Sequence, residues 1–200
     1  MKGVLTVLMA IIMTLMGFAR QPDCDTKVID GVRYEYRTGK ILDFAGHGGP
    51  LQCLNIPING AEWSQKVAVI YGATVPATKT NVIIPEQIDS FPVLSIDGFE
   101  NCSQLRSVQL PGSLVDIGVY AFRHCANLRQ VNFPEGLKDI SVAAFEGCSS
   151  LQIADLPKGL KRLGMSAFKN CSSLKKIKVP VGAVSEKFVS GWLYRCPFWS

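Results

Sequence analysis

Residues 125–148 read Cys125-Ala126-Asn127-Leu128-Arg129-Gln130-Val131-Asn132-Phe133-Pro134-Glu135-Gly136-Leu137-Lys138-Asp139-Ile140-Ser141-Val142-Ala143-Ala144-Phe145-Glu146-Gly147-Cys148. The piece Leu128-x-x-Val131-x-Phe133 alternates apolar and polar side chains, the period of a strand. Pro134 ends it, because proline has no N–H with which to extend a ladder. The piece Ala144-Phe145-x-x-Cys148, with Leu151 following in the same rhythm, has helix-like spacing and predicts one short helical turn. Each unit is thus a strand, a turn and a compact return.

The unit repeats. Cys102, Cys125, Cys148 and Cys171 recur at one constant step. The same step separates Phe99, Phe122, Phe145 and Phe168, then Leu105, Leu128, Leu151 and Leu174, and Pro111, Pro134, Pro157 and Pro180. One such unit cannot bury its apolar face alone. Stacked units bury Leu, Val/Ile, Phe and Cys as continuous columns. Their strands then lie side by side in a parallel sheet, about 4.8 Å apart. The period falls in the leucine-rich-repeat range of about 20–29 residues.

The units resemble the BspA-type leucine-rich repeats of bacterial surface proteins. The matching pattern is Leu-x-x-Val/Ile-x-Leu/Phe/Val-Pro-x-x-Leu-x-x-Ile/Leu-x-x-x-Ala-Phe-x-x-Cys, and it covers residues 82–180. Upstream, Val28 to Tyr36 looks like the opening strand that precedes such arrays. Downstream, Val179 to Phe188 with Gly191-Trp192 looks like their closing segment. The resemblance implies an α/β solenoid, a short right-handed array of 23-residue coils with a parallel sheet and a β-rich N-terminal cap. Two departures stand out. The first unit is longer from Pro85 to Cys102 than the next is from Pro111 to Cys125, and it carries Gly98 where the others carry Ala. Ala154 replaces the inner Val/Ile of its strand and is expected to leave that layer underfilled.

The flanks differ from the array. Met1-Lys2-Gly3 is followed by an apolar run, Val4 to Ala19, ending in small residues. This describes a cleaved export signal over 1–19, shorter than the ~20 apolar residues of a spanning helix. No second apolar run of spanning length follows, so no stable membrane span is expected after cleavage. Cys24 is preceded by Arg20-Gln21-Pro22-Asp23, which does not suit a lipid-modified cysteine. Residues 20–78 are expected to form the N-terminal cap, with strands at Val32–Tyr36 and Val67–Tyr71 and a flexible loop at Gly46-His47-Gly48-Gly49-Pro50. Repeats then occupy 79–180. The aromatic tail within 181–200 (Trp192, Leu193, Tyr194, Phe198, Trp199) suits a C-terminal cap.

The composition excludes several classes. The 200 residues are 48% hydrophobic, which rules out a wholly disordered chain. A chain this long buries roughly 70% of its extended surface without metals or disulfides. The net charge of +5 is too modest for a dedicated nucleic-acid binder. The cysteine column spaces its thiols one coil apart, unlike a Cys-x-x-Cys clamp, and reads as buried structure rather than metal or redox chemistry. With seven cysteines, Cys24–Cys53 is the one pairing entertained. His47 and His124 stand without partners at ligand spacing, so neither a metal nor another cofactor is expected. Asn101-Cys102-Ser103 and Asn170-Cys171-Ser172 match a glycosylation sequon, but they recur with the repeat and read as turn chemistry. No nucleophile elbow, zincin or paired-acid motif stands out, which points away from an enzyme.

Outward positions on the strands are the candidate ligand-binding residues. They are Arg106, Ser107 and Gln109; Arg129, Gln130 and Asn132; Gln152, Ile153 and Asp155; Lys175, Lys176 and Lys178. Coil stacking places them in columns. From Leu156 to Ser185 there are seven Lys/Arg and no Asp or Glu. A cationic end of this kind attracts acidic proteins or sulfated glycans, and it equally suits a solvated surface that keeps the solenoid monomeric. The family resemblance implies a non-enzymatic exported protein, adhesin-like, secreted or on the cell surface, that meets host matrix proteins, glycans or other bacteria. The alternative is a periplasmic or envelope scaffold for another bacterial protein.

Overall fold

Among the described residues, the second to fourth coils each contribute two short strands because their inward side chains come in two groups. One group is the Leu-x-x-Val piece, and the other is the Asp-Ile piece after the proline turn. In the computed structural model, which describes residues 24–40, 65–180 and 183, the strands are as follows. β1 is Asp25–Ile29, β2 Val32–Lys40, β3 Lys66–Thr74, β4 Asn81–Ile83, β5 Gln87–Ile88 and β6 Phe91–Ile96. β7 is Ser107–Gln109, β8 Asp116–Ile117, β9 Gln130–Asn132 and β10 Asp139–Ile140. β11 is Ile153–Asp155, β12 Arg162–Leu163 and β13 Lys176–Lys178.

The Leu-x-x-Val strands stack in parallel as β4-β7-β9 and as β11-β13. The post-proline strands stack as β6-β8-β10-β12, also parallel. Five coils therefore contribute strands, and from β7 onward they recur at the step that the repeat predicts. Between the two sheets lies the core, with Phe99, Phe122, Phe145 and Phe168 fully buried. Their rings stack at 5.2 Å between successive centroids, the offset spacing that aromatic faces favour.

The proline is followed by a turn in each coil. The N–H groups of Leu114, Leu137 and Leu160 donate to the carbonyls of Pro111, Pro134 and Pro157, all at 3.1 Å. That turn carries the chain from one sheet to the other.

The expected helical turn does not form, and no helix occurs among the described residues. The Ala-Phe-x-x-Cys piece is a run of tight turns, and the fold is a β-solenoid rather than an α/β one. The reason is local. Tyr120, Ala143 and Ser166 take positive φ near 53–61°, and Asn101, His124, Gly147 and Asn170 take 58–75°. Left-handed residues so closely spaced, such as Ala143 and Gly147, interrupt the dihedrals a helix requires. The freed N–H groups bond across coils instead, Phe122 to the Ala144 carbonyl at 2.7 Å and Phe145 to that of Ala167 at 2.8 Å. The two sequon asparagines occupy the same left-handed position as His124 and Gly147, in keeping with turn chemistry.

The two strands expected upstream of the array are present and longer, as β2 and β3. β1 joins them through Asp30-Gly31, whose φ values of 49° and 74° make the tight hairpin turn that Asp-Gly favours. β3 continues the second sheet by pairing in parallel with β6, and Tyr34 packs edge-on against Phe99 at 6.4 Å. The extra length of the first coil is the β5–β6 hairpin, turned by Asp89 and Ser90 at φ 51° and 67°. Asp89 accepts from Lys27 at 2.6 Å and from the Tyr36 hydroxyl, which ties that hairpin to β1 and β2. The signal segment, the His47 loop, Cys53 and all of the tail except Ala183 lie outside the described residues.

Candidate functional site

The exposed face of the Leu-x-x-Val sheets is built by strand alternation. In β9 the middle Val131 points inward while Gln130 and Asn132 stand exposed. β7 places Val108 between half-buried Ser107 and exposed Gln109, and β11 repeats the full pattern with Ala154 between Ile153 and Asp155. In β13, Lys176 and Lys178 flank Ile177. Register pairs Ser107 with Gln130 and Gln109 with Asn132, then Ile153 with Lys176 and Asp155 with Lys178. Arg106, Arg129, Gln152 and Lys175 are exposed and immediately precede their strands. Their backbones link coil to coil, Arg129 N–H to the Arg106 carbonyl at 2.8 Å and Lys175 N–H to that of Gln152 at 2.8 Å. All twelve residues singled out from sequence thus stand along one side of the solenoid.

The face has a seam. Gln152 N–H reaches the Arg129 carbonyl only at 3.5 Å, and the ladder breaks between β9 and β11. The break falls where Ala154 replaces Val108 and Val131, and where Phe133 replaces Leu110 and Leu156. Phe133 turns edge-on to Phe145 at 5.6 Å and to Phe168 at 6.5 Å.

On one side of the seam a shallow groove of about 400 Å³ runs over β4, β7 and β9. Asn132 is fixed there. Its Oδ1 accepts the Leu110 N–H at 2.7 Å, and its Nδ2 donates to the Leu110 carbonyl at 3.3 Å. Ser107 donates to Asn81 Oδ1 at 2.7 Å. Asn81 and Ile83 belong to this groove and escape the sequence reading, because the first coil is longer than the rest. The signal that finds them is Val82-x-Ile84-Pro85, which copies Val108-x-Leu110-Pro111 at a wider step than the other coils use.

On the other side the face is cationic, but less so than the sequence run predicts. On the face itself Lys178 meets Asp155 at 3.6 Å, and elsewhere in the run Lys169 meets Glu146 at 3.1 Å and Arg162 pairs with Asp139. Each partner lies one coil upstream, outside the acid-free run, and stacking brings it alongside. Among the described residues, no carboxylate pairs with Lys175 or Lys176.

Three of the four cysteines in the column, Cys125, Cys148 and Cys171, are inert by geometry. Cys125, Cys148 and Cys171 are fully buried, and their thiols donate to the carbonyls of Phe99, Phe122 and Phe145 at 3.1, 3.1 and 3.2 Å. Burial pushes the Cys148 thiol up to about 12 and raises that of Cys125 further, away from the thiolate that metals and oxidants need. Among the described residues, no three His, Cys, Asp or Glu side chains come together as metal ligands.

Comparison with known proteins bears on this repeat directly. The family described as "BspA type Leucine rich repeat region" matches residues 79–196 in six copies. The chain belongs to the BspA-type leucine-rich repeat family. Repeats of this class typically serve as non-enzymatic binding scaffolds. Among solved structures, a leucine-rich repeat protein of Bacteroides ovatus is 29% identical with a TM-score of 0.54, covering 59% of this chain and 32% of that one. A leucine-rich repeat protein of T. pallidum is 31% identical with a TM-score of 0.48, covering 57% and 64%. A leucine rich cell surface protein of Faecalibacterium prausnitzii shares the fold at 23% identity and a TM-score of 0.59, covering 86% and 38%. The chain therefore spans about a third of the B. ovatus protein and under two thirds of the T. pallidum protein. Among the curated proteins, none matches. No helix of the described residues is long and apolar enough to cross a membrane.

Proposed function

We propose that this BspA-type repeat protein is an exported, non-enzymatic binding protein, adhesin-like, that holds a protein or glycan ligand on its exposed strand face. One observation carries the reading: exposed side chains from successive coils stand in register, as in Gln109–Asn132 and Ile153–Lys176, on the two sheets that flank the seam. Such a surface binds through many modest contacts rather than through one deep pocket. Export is supported by the basic start, apolar run and small-residue end of residues 1–19. Strands β1–β3, which meet the first coil through Tyr34 and Phe99, support reading 20–78 as the N-terminal cap.

Lys175 and Lys176 are the cationic anchors of this reading, with Lys178 shared with Asp155. Replacing Lys175 and Lys176 by Glu should weaken binding to heparin, used as an acidic probe, and flatten its salt dependence. Unchanged affinity across a salt titration would remove the lysines from the site. Protease treatment of intact cells tests location. Loss of the chain while a periplasmic control survives supports the surface, whereas protection favours an envelope scaffold.

A further inference from the structure

The groove over β4, β7 and β9 is chemically unlike the rest of the face. Its outward side chains are Asn81, Ser107, Gln109, Gln130 and Asn132, with Ile83 beside them. None of these is ionisable, and Arg106 and Arg129 stand outside the lining. At about 400 Å³ it has room for a few rings of a small ligand. We propose that this groove is a subsite for an uncharged, hydroxyl-rich ligand, a neutral glycan; this rests on the strand face being the binding surface.

The matching of groups leads there. A side-chain amide offers donors and an acceptor on adjacent atoms, and a hydroxyl offers one donor and two lone pairs. A row of amides therefore satisfies a row of hydroxyls without leaving a charge unpaired. A charged ligand would give up hydration here and find no counter-charge in the lining itself, since Arg106 and Arg129 stand outside it.

Two groups are already oriented. Ser107 holds Asn81 by its Oδ1, which leaves the Asn81 NH2 for a ligand. Leu110 holds Asn132 at both ends, with one N–H and one lone pair of that amide to spare. Gln109 and Gln130 are exposed and adaptable beside them. Ile83, 61% exposed, offers an apolar patch to the C–H face of a sugar ring.

An extended peptide fits less well. Peptides gain affinity from a free sheet edge or from side-chain pockets. This groove lies over the face of β4, β7 and β9 rather than along the outer edge of β4 or β9, and it holds no deep pocket.

The test uses the full chain and neutral linear hexasaccharides built from glucose, N-acetylglucosamine or xylose. Heparin and an unstructured acidic peptide serve as contrasts, and binding is read by calorimetry. The variants are Gln109→Ala/Gln130→Ala and Lys175→Glu/Lys176→Glu, each checked for an unchanged melting temperature. The expected result is binding of at least one neutral oligosaccharide that added salt does not weaken. Gln109→Ala/Gln130→Ala should weaken it about tenfold, and Lys175→Glu/Lys176→Glu should leave it intact. Heparin binding through the lysines with no neutral oligosaccharide bound overturns the glycan subsite and leaves the strand-face function standing. Peptide capture that depends on Gln109 and Gln130 overturns it in favour of a peptide. If no probe binds, both readings fall.

Discussion

The Cys148 thiol donates a hydrogen bond to the carbonyl of Phe122, one coil back, at 3.1 Å. The relationship repeats at Cys125 with Phe99 and at Cys171 with Phe145. Within its own turn the Phe122 carbonyl already accepts the Cys125 N–H at 3.2 Å. A carbonyl oxygen has a second lone pair, and the small thiol of the next coil reaches it. Cysteine therefore fills a core column and completes a buried acceptor together.

The first prediction concerns this column and its stacked rings. Cys148→Ala should cost about 1–2 kcal/mol, because it opens a small void and removes the second donor to the Phe122 carbonyl. Phe145→Ala, which removes a ring stacked against two others, should cost about 3–5 kcal/mol. Urea melts measure both. Native Cys125 and Cys148 should resist a thiol reagent until the chain unfolds, and rapid labelling of the folded protein would contradict the assigned packing.

Gly98 gives the second. The other coils carry Ala121, Ala144 and Ala167 here, so a consensus argument favours Gly98→Ala. The structure predicts the reverse. A Cβ at Gly98 would sit 2.2 Å from the Gly72 Cα and 2.5 Å from the Tyr71 carbonyl oxygen, at φ +82°. The substitution should destabilise by at least about 2–3 kcal/mol, since β3 must shift away from the first coil. Gly112→Ala, whose Cβ meets nothing closer than 3.7 Å, is the control and should stay within about 1 kcal/mol.

Acidity gives the third. Ser95, Asp116, Asp139 and Arg162 form one register line across β6, β8, β10 and β12. Ser95 donates to Asp116 at 2.5 Å, while Asp116 Oδ1 has no hydrogen-bond partner among the described residues. Burial raises the Asp116 carboxyl well above the usual carboxylate range, against the Ser95 bond, and the neighbouring Asp139 raises it further. Burial lifts Asp139 to about 6 despite Arg162, and lifts Asp97 to about 7 despite the Gly98 N–H. Folded values above unfolded ones mean that the native state holds extra protons between about pH 4 and about pH 7. Stability should therefore rise as pH falls through that window, by on the order of 1 kcal/mol per pH unit for each group. Asp116→Asn should raise the melting temperature at about pH 8 and flatten the profile. A variant that melts below the parent there would refute the assignment.

The fourth concerns charges laid end to end. Glu100, Arg123, Glu146 and Lys169 hold the same position in successive coils and meet at 3.3, 3.4 and 3.1 Å. Glu146, only 12% exposed, pairs with a cation on either side. Glu146→Gln should cost about 1–2 kcal/mol. Lys178→Ala, from a pair more than half exposed, should cost less than about 0.5 kcal/mol. Thermal melts at low and high salt separate the two.

By itself the sequence determined the solenoid, because a constant step shared by Phe, Cys, Leu and Pro is buried only when coils stack. It also marked the outward residues of each strand, since alternation is a local property of the backbone. What it misjudged was the Ala-Phe-x-x-Cys return. Helical spacing of apolar residues there arises from left-handed turns whose N–H groups bond the next coil. Tertiary structure alone decided which charges meet, for Asp155 reaches Lys178 across a coil and not along the chain. It also decided the need for glycine at 98, set by how closely β3 approaches, and the division of the exposed face at Ala154 into an amide-lined groove and a cationic end. These depend on distances between coils, which a linear pattern does not carry.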